Sequence, residues 1–199
     1  QSVIHLADLP RNQDRANLPL SFSQQRLWML DKLNGSSSEY NLSGGFLLEG
    51  QLNISAVQHA LTTVIDRHEV LRTNYLDMDG EVKALVRDAS AISLREVSLC
   101  HLSGELQRAA LEEHLLDEAA SPFALAHDFM LKVQLISLSV NKHILQVTMH
   151  HIAADGKSIG IVVEEFCELY NSYVQNRNST LNSLVHQYAD YAQWQRQWL

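Results

Sequence analysis

Apolar residues between positions 54 and 72 recur at intervals of three and four, which is the spacing of one face of an α-helix. Asn53 stands just before this run, and its short polar side chain is typical of a helix N-cap. The pattern predicts a helix that begins after Asn53 and buries one face. The apolar residues on that face are Val57, Ala60, Leu61, Val64, Ile65 and Leu71.

Strands are predicted where apolar residues alternate with polar ones or form short apolar runs. The predicted strands span residues 45–50, 73–77, 81–86, 130–140 and 143–150. Asp79-Gly80 suits the tight turn of a hairpin between the second and third of them. Asn141 lies between the last two and predicts another tight turn there.

Four more helices are predicted, over residues 23–33, 106–120, 158–175 and 183–199. Ser23 is the expected cap of the first. In the second, acids alternate with apolar residues at helical period, so they are interpreted as a solvated face. The polar segment before Asn17 is expected to be extended. Strands interspersed with helices indicate the α/β (α+β) class, with one domain over residues 1–199 that has a single sheet covered by helices.

The composition is that of an ordinary globular domain. The chain has 199 residues, of which 46% are hydrophobic and 19% charged, and its net charge is −8. An acidic surface argues against nucleic acid and anionic membranes as partners. Cys100 and Cys167 lie far apart and are interpreted as reduced thiols of a cytoplasmic protein. The absence of an initial methionine suggests an excised fragment.

The candidate chemistry lies at the end of the last predicted strand. His150 and His151 are adjacent there, followed by Asp155 and Gly156. Successive side chains of a strand point to opposite faces, so only one of the two histidines is expected to face a given cavity. A histidine base at a strand end, beside an acid and a tight turn, favours acyl transfer. Because adjacent histidines diverge and no third ligand has metal spacing, no metal site is predicted.

Two roles are open for Asp155: a direct partner of a histidine, as in a catalytic triad, or an ion pair that holds the loop in shape. The second is favoured, because a buried carboxylate in a tight turn needs a cation or several amide donors. Arg67 and Arg72, at the end of the predicted helix, are the expected partners, Arg67 first. Gly156 is expected to have a positive φ or to allow a ligand to approach closely.

Four segments of the chain, in order, resemble the motifs of one family. They are SFSQQRLWML at 21–30, DRHEVLRTNY at 66–75, HHIAADG at 150–156 and YADYAQW at 188–194. They are similar to the first four motifs of the condensation domains of nonribosomal peptide synthetases: SxAQxRLWxL, RHExLRTxF, HHxxxDG and YxDFAxW. Those domains belong to a chloramphenicol-acetyltransferase-like superfamily with two lobes and a tunnel between them.

The resemblance implies the N-terminal lobe of such a domain, with a mixed sheet covered by helices and the C-terminal lobe absent from this chain. It implies amide-bond formation between two thioesters carried on the phosphopantetheine arms of upstream and downstream carrier proteins, with no cofactor bound directly. His151 is then the catalytic residue. His150, Asp155, Gly156 and Arg67 support the site. The isolated lobe is expected to be inactive.

Two rival functions remain. One is the related epimerisation domain, which also carries a histidine pair. The other is a non-catalytic lobe that only docks carrier proteins. The chain also departs from the family pattern at Lys157, where an aromatic residue is usual, and this places the acceptor-side contacts in doubt. The residues of the first two motifs favour the subtype of condensation domain that joins two L-configured residues.

Overall fold

The computed structural model describes Leu9, residues 15–90 and residues 92–198. The helices in this part of the chain are α1 (Phe22–Asn34), α2 (Ile54–Arg67), α3 (Gly104–Ala120), α4 (Gly156–Val174) and α5 (Tyr188–Trp198). The strands are β1 (Asn41–Glu49), β2 (Thr73–Met78), β3 (Glu81–Val86), β4 (Leu94–Ser98), β5 (Leu131–Ser139) and β6 (Lys142–His150). A 3-10 turn, Glu69–Arg72, joins α2 to β2. The predicted extended segment before Asn17 lies largely outside the described residues.

The strands form two sheets, so the prediction of a single sheet is wrong in that respect. Four strands form a mixed sheet in the order β1-β6-β5-β4, in which only β4 and β5 are parallel. β2 and β3 form the predicted hairpin as a separate two-stranded sheet, and Ala84 of β3 also forms an antiparallel bridge with Leu18. β4 was not predicted, because its five residues alternate weakly and lie at the sheet edge.

Capping residues set where two of the helices begin. Asn53 caps α2 as predicted, and its Oδ1 accepts from the backbone N of Ala56 at 3.0 Å. α1 is capped by Ser21 and not by Ser23, because Ser21 and Gln24 form a reciprocal capping box. α5 begins at Tyr188, five residues later than the predicted start.

One face of the mixed sheet packs on α2 and α4 through a continuous apolar core. The core combines the predicted face of α2 with inward residues of β5, β6 and α4. Its most enclosed members are Val57, Ala60, Leu61, Val64, Ile65, Leu135 and Met149. Each large apolar side chain buried here stabilises the fold by roughly 1.5–3 kcal/mol. This core fixes β6, and therefore the histidine pair at its end.

The opposite face of the sheet is polar and lies under α3. Gln134 Nε2 donates to Gln146 Oε1 at 2.6 Å, and Gln146 Nε2 donates to the carbonyl of Leu115 in α3 at 2.9 Å. Most acids of α3 are exposed, as predicted, but Glu118 is buried beside Arg95 at 3.5 Å. Hydrogen bonds rather than an apolar stripe therefore hold α3 on the sheet.

A second apolar cluster lies between α1, the hairpin and the end of β6. Its buried members are Leu18, Leu20, Tyr75, Ala84, Phe123, Leu125, Met130 and Ile152. Ile152 belongs to the turn that follows the histidines, so this cluster anchors that turn. Within the described ranges, no helix is both long and apolar enough to cross a membrane.

Candidate active site

The two histidines point to opposite sides of the chain, as predicted. His150 is the last residue of β6 and is fully buried, whereas His151 is exposed in the turn that follows. The backbone N of His151 donates to the carbonyl of Tyr40 at 2.8 Å, and the backbone N of Ala153 donates to the carbonyl of His150 at 3.0 Å. These bonds hold the backbone in place, while the imidazole of His151 stays open to solvent.

His150 is held as a neutral imidazole. Its Nδ1 accepts from the backbone N of Ile152 at 3.1 Å, so the ring proton lies on Nε2. The ring packs edge-on against Phe123 with 5.8 Å between centroids. Burial, and secondly the charge of His151, lower the pKa of His150 to about 4. The ring of His150 is therefore packed behind the turn and does not line the cleft.

His151 lines an open cleft of about 480 Å³. One wall is the face of α1 that carries Ser23, Arg26, Leu27 and Leu30. The other wall is the loop from His151 to Asp155, and Tyr40 and Tyr188 close the ends. Arg26 has no ion-pair partner among the described residues, so the cleft combines one imidazole, one free guanidinium and apolar walls. Such a surface suits a polar reacting group on an apolar carrier.

Asp155 does not pair with Arg67, so that prediction is wrong. Its carboxylate caps α4: Oδ1 accepts from the backbone N of Lys157 at 3.1 Å, and from the backbone N and the hydroxyl of Ser158 at 2.8 and 2.7 Å. These bonds, those from Ser158 above all, lower the pKa of Asp155. The cap supplies the amide donors that the carboxylate needs, so no cation is required. Asp155 makes no bond to His151 either.

Arg67 pairs instead with Glu165, a buried acid of α4. Arg67 Nε donates to Glu165 Oε1 at 3.1 Å, and His68 Nε2 lies 2.6 Å from Glu165 Oε2. Arg72, the other expected partner, donates to the backbone carbonyls of Arg87 and Asp66. The second motif thus supports α4 about three helical turns beyond Asp155, from behind the site.

Gly156 does not need the freedom of glycine in this structure. It is the first residue of α4, and its φ is not positive. A Cβ added there would meet nothing within 4 Å. The predicted positive φ is wrong, and the space beside Gly156 opens to solvent. Lys157 is exposed in the same turn.

Gln24 joins three of the four motifs, although the sequence did not single it out. Its side chain is buried on the inner side of α1. Its Nε2 donates to the hydroxyl of Tyr75 at 3.0 Å and to the carbonyl of Ile152 at 3.3 Å. The fourth motif joins through Tyr188, whose hydroxyl lies 3.0 Å from the Oγ of Ser21. The Ser-x-x-Gln spacing of a capping box was the sequence signal that could have revealed the role of Gln24.

The segment before α5 is tied to the second motif. Gln187 Nε2 donates to the carbonyl of Arg67 at 3.0 Å, and its Oε1 accepts from the backbone N of Glu69 at 3.1 Å. Arg15 bridges Glu69 and Asp190 at 3.2 and 2.8 Å. The chain's four motifs therefore form one connected support around the cleft. Across the described residues, no group of three or more histidine, cysteine or acidic side chains could hold a metal ion.

Comparison with protein families identifies one family that matches nearly the whole chain. The model of the family described as "Condensation domain" matches residues 14–199. The chain is 38% identical to one of the proteins that make up the linear gramicidin synthase of Brevibacillus parabrevis, over 98% of this chain and 2% of that protein. It is 34% identical to malpinin synthetase of Mortierella alpina, over 100% of this chain and 2% of that protein. The chain thus spans a small fraction of these relatives.

Solved structures agree on the fold. The X-domain of teicoplanin biosynthesis, in its complex with OxyB, is 28% identical with a TM-score of 0.84, over 98% of this chain and 41% of that one. The starter condensation domain of rhizomide synthetase RzmA is 19% identical with a TM-score of 0.82, over 91% of this chain and 43% of that one. The predicted chloramphenicol-acetyltransferase-like α+β fold, a mixed sheet covered by helices, is confirmed. With a family match that extends from residue 14 to the last residue, this chain belongs to the condensation domain family.

Proposed function

We propose that residues 1–199 are the N-terminal lobe of a condensation domain that forms an amide bond between two carrier-bound thioesters. The observation that carries this proposal is the exposed imidazole of His151 in a cleft whose support is made by the four motifs. Coverage also supports it, since the chain matches 39–44% of solved relatives with TM-scores of 0.78–0.84. A C-terminal lobe would cover the open side of the cleft.

In the reaction, the amine of an aminoacyl thioester attacks the carbonyl carbon of a donor thioester. The C–N bond forms, the carbonyl oxygen takes the negative charge, and the C–S bond then breaks. The proton lost by the amine passes to a nitrogen of His151 and on to the departing thiolate, so the products are an amide and a free thiol. An imidazole is suited to this relay because its ordinary pKa lies near neutral pH.

The remaining predicted site residues support His151 in this proposal. His150 fills the space behind the turn, Asp155 caps α4, Arg67 holds Glu165, and Gly156 is the first residue of α4 beside the cap. The substrates arrive on the phosphopantetheine arms of upstream and downstream carrier proteins, so the lobe holds no cofactor itself. The reaction takes place in the cytoplasm, where these carriers are charged.

The test uses the intact synthetase that contains this chain, with both carriers loaded. His151→Ala should lower single-turnover amide formation by about 100-fold or more, because a positioned proton acceptor is lost. His101, an exposed histidine outside the cleft, provides the matched control, and His101→Ala should leave the rate unchanged. Product formation by His151→Ala at the control rate would refute the catalytic role. Exchange of the α-hydrogen of one carrier-bound residue without condensation would favour the epimerisation function.

A second function is favoured by one comparison. The X-domain that resembles this chain was solved in a complex with OxyB, so a domain that contains a lobe of this fold binds a partner protein. A docking lobe would not need His151. Carrier binding that survives His151→Ala, together with unchanged product formation, would support that function.

The lobe alone is expected to form no amide bond, because positioning two substrates needs both lobes, one on each side of the cleft. Incubating the 199-residue chain with two loaded carriers, beside the intact synthetase as a positive control, measures this. Turnover by the lobe alone would show that one lobe suffices.

A further inference from the structure

The side-chain amide of Gln24 is fully saturated by partners that fix its orientation. The backbone N of Ser21 donates to Oε1 at 3.1 Å. Nε2 donates to the hydroxyl of Tyr75 and to the carbonyl of Ile152. Since a backbone N can only donate and a carbonyl can only accept, the amide has one possible orientation. Burial raises the pKa of Tyr75 far above its ordinary value, so its hydroxyl stays neutral.

The bond to Ile152 completes a set of restraints around His151. The backbone N of His151 is held by Tyr40, and the backbone N of Ile152 is held by His150 Nδ1. The carbonyl of Ile152 is held only by Gln24 among the described residues. The backbone is therefore restrained on both sides of the His151 Cα, and the restraint on the carbonyl of Ile152 comes from α1.

Helix α1 is also the wall of the cleft that faces the histidine loop. α1 presents Ser23, Arg26 and Leu27 to the cleft and Gln24 to the interior. The link from Gln24 to Ile152 therefore sets the separation between the α1 wall and the histidine loop. Without it, apolar packing around Ile152 would still hold the two elements together, but it would not fix their separation or the direction of the loop carbonyl.

We propose that Gln24 is a positioning residue of the reaction, which fixes His151 and the width of the cleft through the carbonyl of Ile152. This inference rests on the proposed function, because it gives Gln24 a part in the rate. A purely structural role predicts instead that changes at Gln24 alter stability and leave the turnover of folded protein unchanged.

The first test compares Gln24→Met with Gln25→Met in the intact synthetase. Methionine keeps the length of the side chain and removes its hydrogen bonds. Gln25 is the adjacent, half-buried control, and its Oε1 accepts from Arg196 outside the cleft. Gln24→Met should lower kcat by about 10- to 100-fold, the scale of a small misplacement of a reacting group. The KM for the carriers should stay within about threefold, because their docking is untouched. Gln25→Met should match the unmodified protein in both.

The second test uses Gln24→Glu and a pH profile, and it decides the matter if Gln24→Met does not fold. A protonated glutamic acid can still donate to Ile152 while accepting from Ser21, but an ionised one faces the Ile152 carbonyl with no donor. The pKa of this buried carboxyl is expected to be raised. The rate relative to the unmodified protein should therefore fall at least about tenfold as the pH rises from about 6 to about 8.5. Ionisation of the buried carboxyl also lowers the thermal midpoint as the pH rises, so the rates are measured at a temperature where the variant stays folded across the whole range.

The outcomes separate this inference from the proposed function. Loss of turnover in His151→Ala, with full kcat in folded Gln24→Met and a flat relative pH profile in Gln24→Glu, would overturn the positioning role alone. Full turnover in His151→Ala would overturn the proposed function and the role of Gln24 with it. A reduced kcat in Gln24→Met that rises again in Gln24→Glu at low pH would establish the positioning role.

Discussion

The two sides of the histidine turn differ in how their polar groups are satisfied. On the inner side, His150, Gln24 and Glu165 are buried, and each is held by specific partners. On the cleft side, the imidazole of His151 and the guanidinium of Arg26 are exposed and have no such partners among the described residues. The fold holds the inner groups, although the buried Nε2 of His150 has no hydrogen-bond partner among the described residues, and the cleft-side groups face solvent.

This difference separates two kinds of effect. A buried polar group that loses its partner keeps the cost of its own desolvation, so changes on the inner side should lower the free energy of unfolding. An exposed group has no such cost, so changes on the cleft side should lower the rate and leave stability nearly unchanged. The comparison fails if changes on the cleft side lower the free energy of unfolding, or if changes on the inner side lower the rate without lowering the free energy of unfolding.

Removing the guanidinium of Arg67 should have the largest effect on stability. Glu165 would stay buried with His68 as its only partner, and breaking such a pair costs about 3 kcal/mol. Chemical denaturation of Arg67→Ala measures the loss. Arg108→Ala is the matched control, because Arg108 and Glu112 form an exposed pair at 3.3 Å that is worth less than about 0.5 kcal/mol. Equal losses in the two variants would contradict the inner-side account.

Lowering the pH should destabilise the fold through His150. Its pKa is lowered from 6.5 to about 4 in the folded state, so the unfolded chain binds more protons between those values. Stability from this residue is present above about pH 6.5 and is lost as the pH falls, by roughly 2 kcal/mol between about pH 7 and about pH 5. The measurement is the slope of the unfolding free energy against pH in the unmodified chain and in His150→Asn. An unchanged slope in the variant would mean that His150 is not buried as a neutral ring.

Asp155 lies where the two sides meet, and its loss should have a smaller effect. Asp155→Ala removes the cap of α4 and should cost about 1 kcal/mol, whereas Asp155→Asn should cost only about 0.3 kcal/mol because asparagine caps helices roughly as well. A double-mutant cycle between Asp155 and Arg67 should give a coupling energy near zero. A coupling energy above about 1 kcal/mol would show that Asp155 and Arg67 form the ion pair that the sequence suggested, and it would contradict the assignment of Asp155 as the cap of α4.

The elements that follow from local patterns could be predicted from the sequence. The face of α2 depends only on the spacing of its apolar residues, and the β2–β3 hairpin on Asp79-Gly80. The divergence of His150 and His151 follows from strand geometry alone. Because the histidine pair directly follows a predicted strand, the sequence was enough to place the candidate site at the end of β6.

Features that depend on distant partners could not be predicted. Arg67 could have paired with either of two acids, and only the packing of α2 on α4 selects Glu165 over Asp155. β4 has too few apolar residues to be recognised, and it forms because β5 offers a free parallel edge. Gln24 was missed for a different reason, since the cap of α1 was predicted at Ser23 and the capping box of Ser21 and Gln24 was overlooked.

The central claim is that the two adjacent histidines have divided roles, and one paired measurement tests it directly. His150→Asn and His151→Asn are compared in single-turnover amide formation by the intact synthetase and in the unfolding free energy of the 199-residue chain. The account predicts a rate loss of about 100-fold or more for His151→Asn with stability within about 0.5 kcal/mol of the unmodified chain. For His150→Asn it predicts a stability loss of about 1 to 2 kcal/mol and a smaller rate loss. A stable, fully active His151→Asn, or a His150→Asn that loses only the rate, would contradict it.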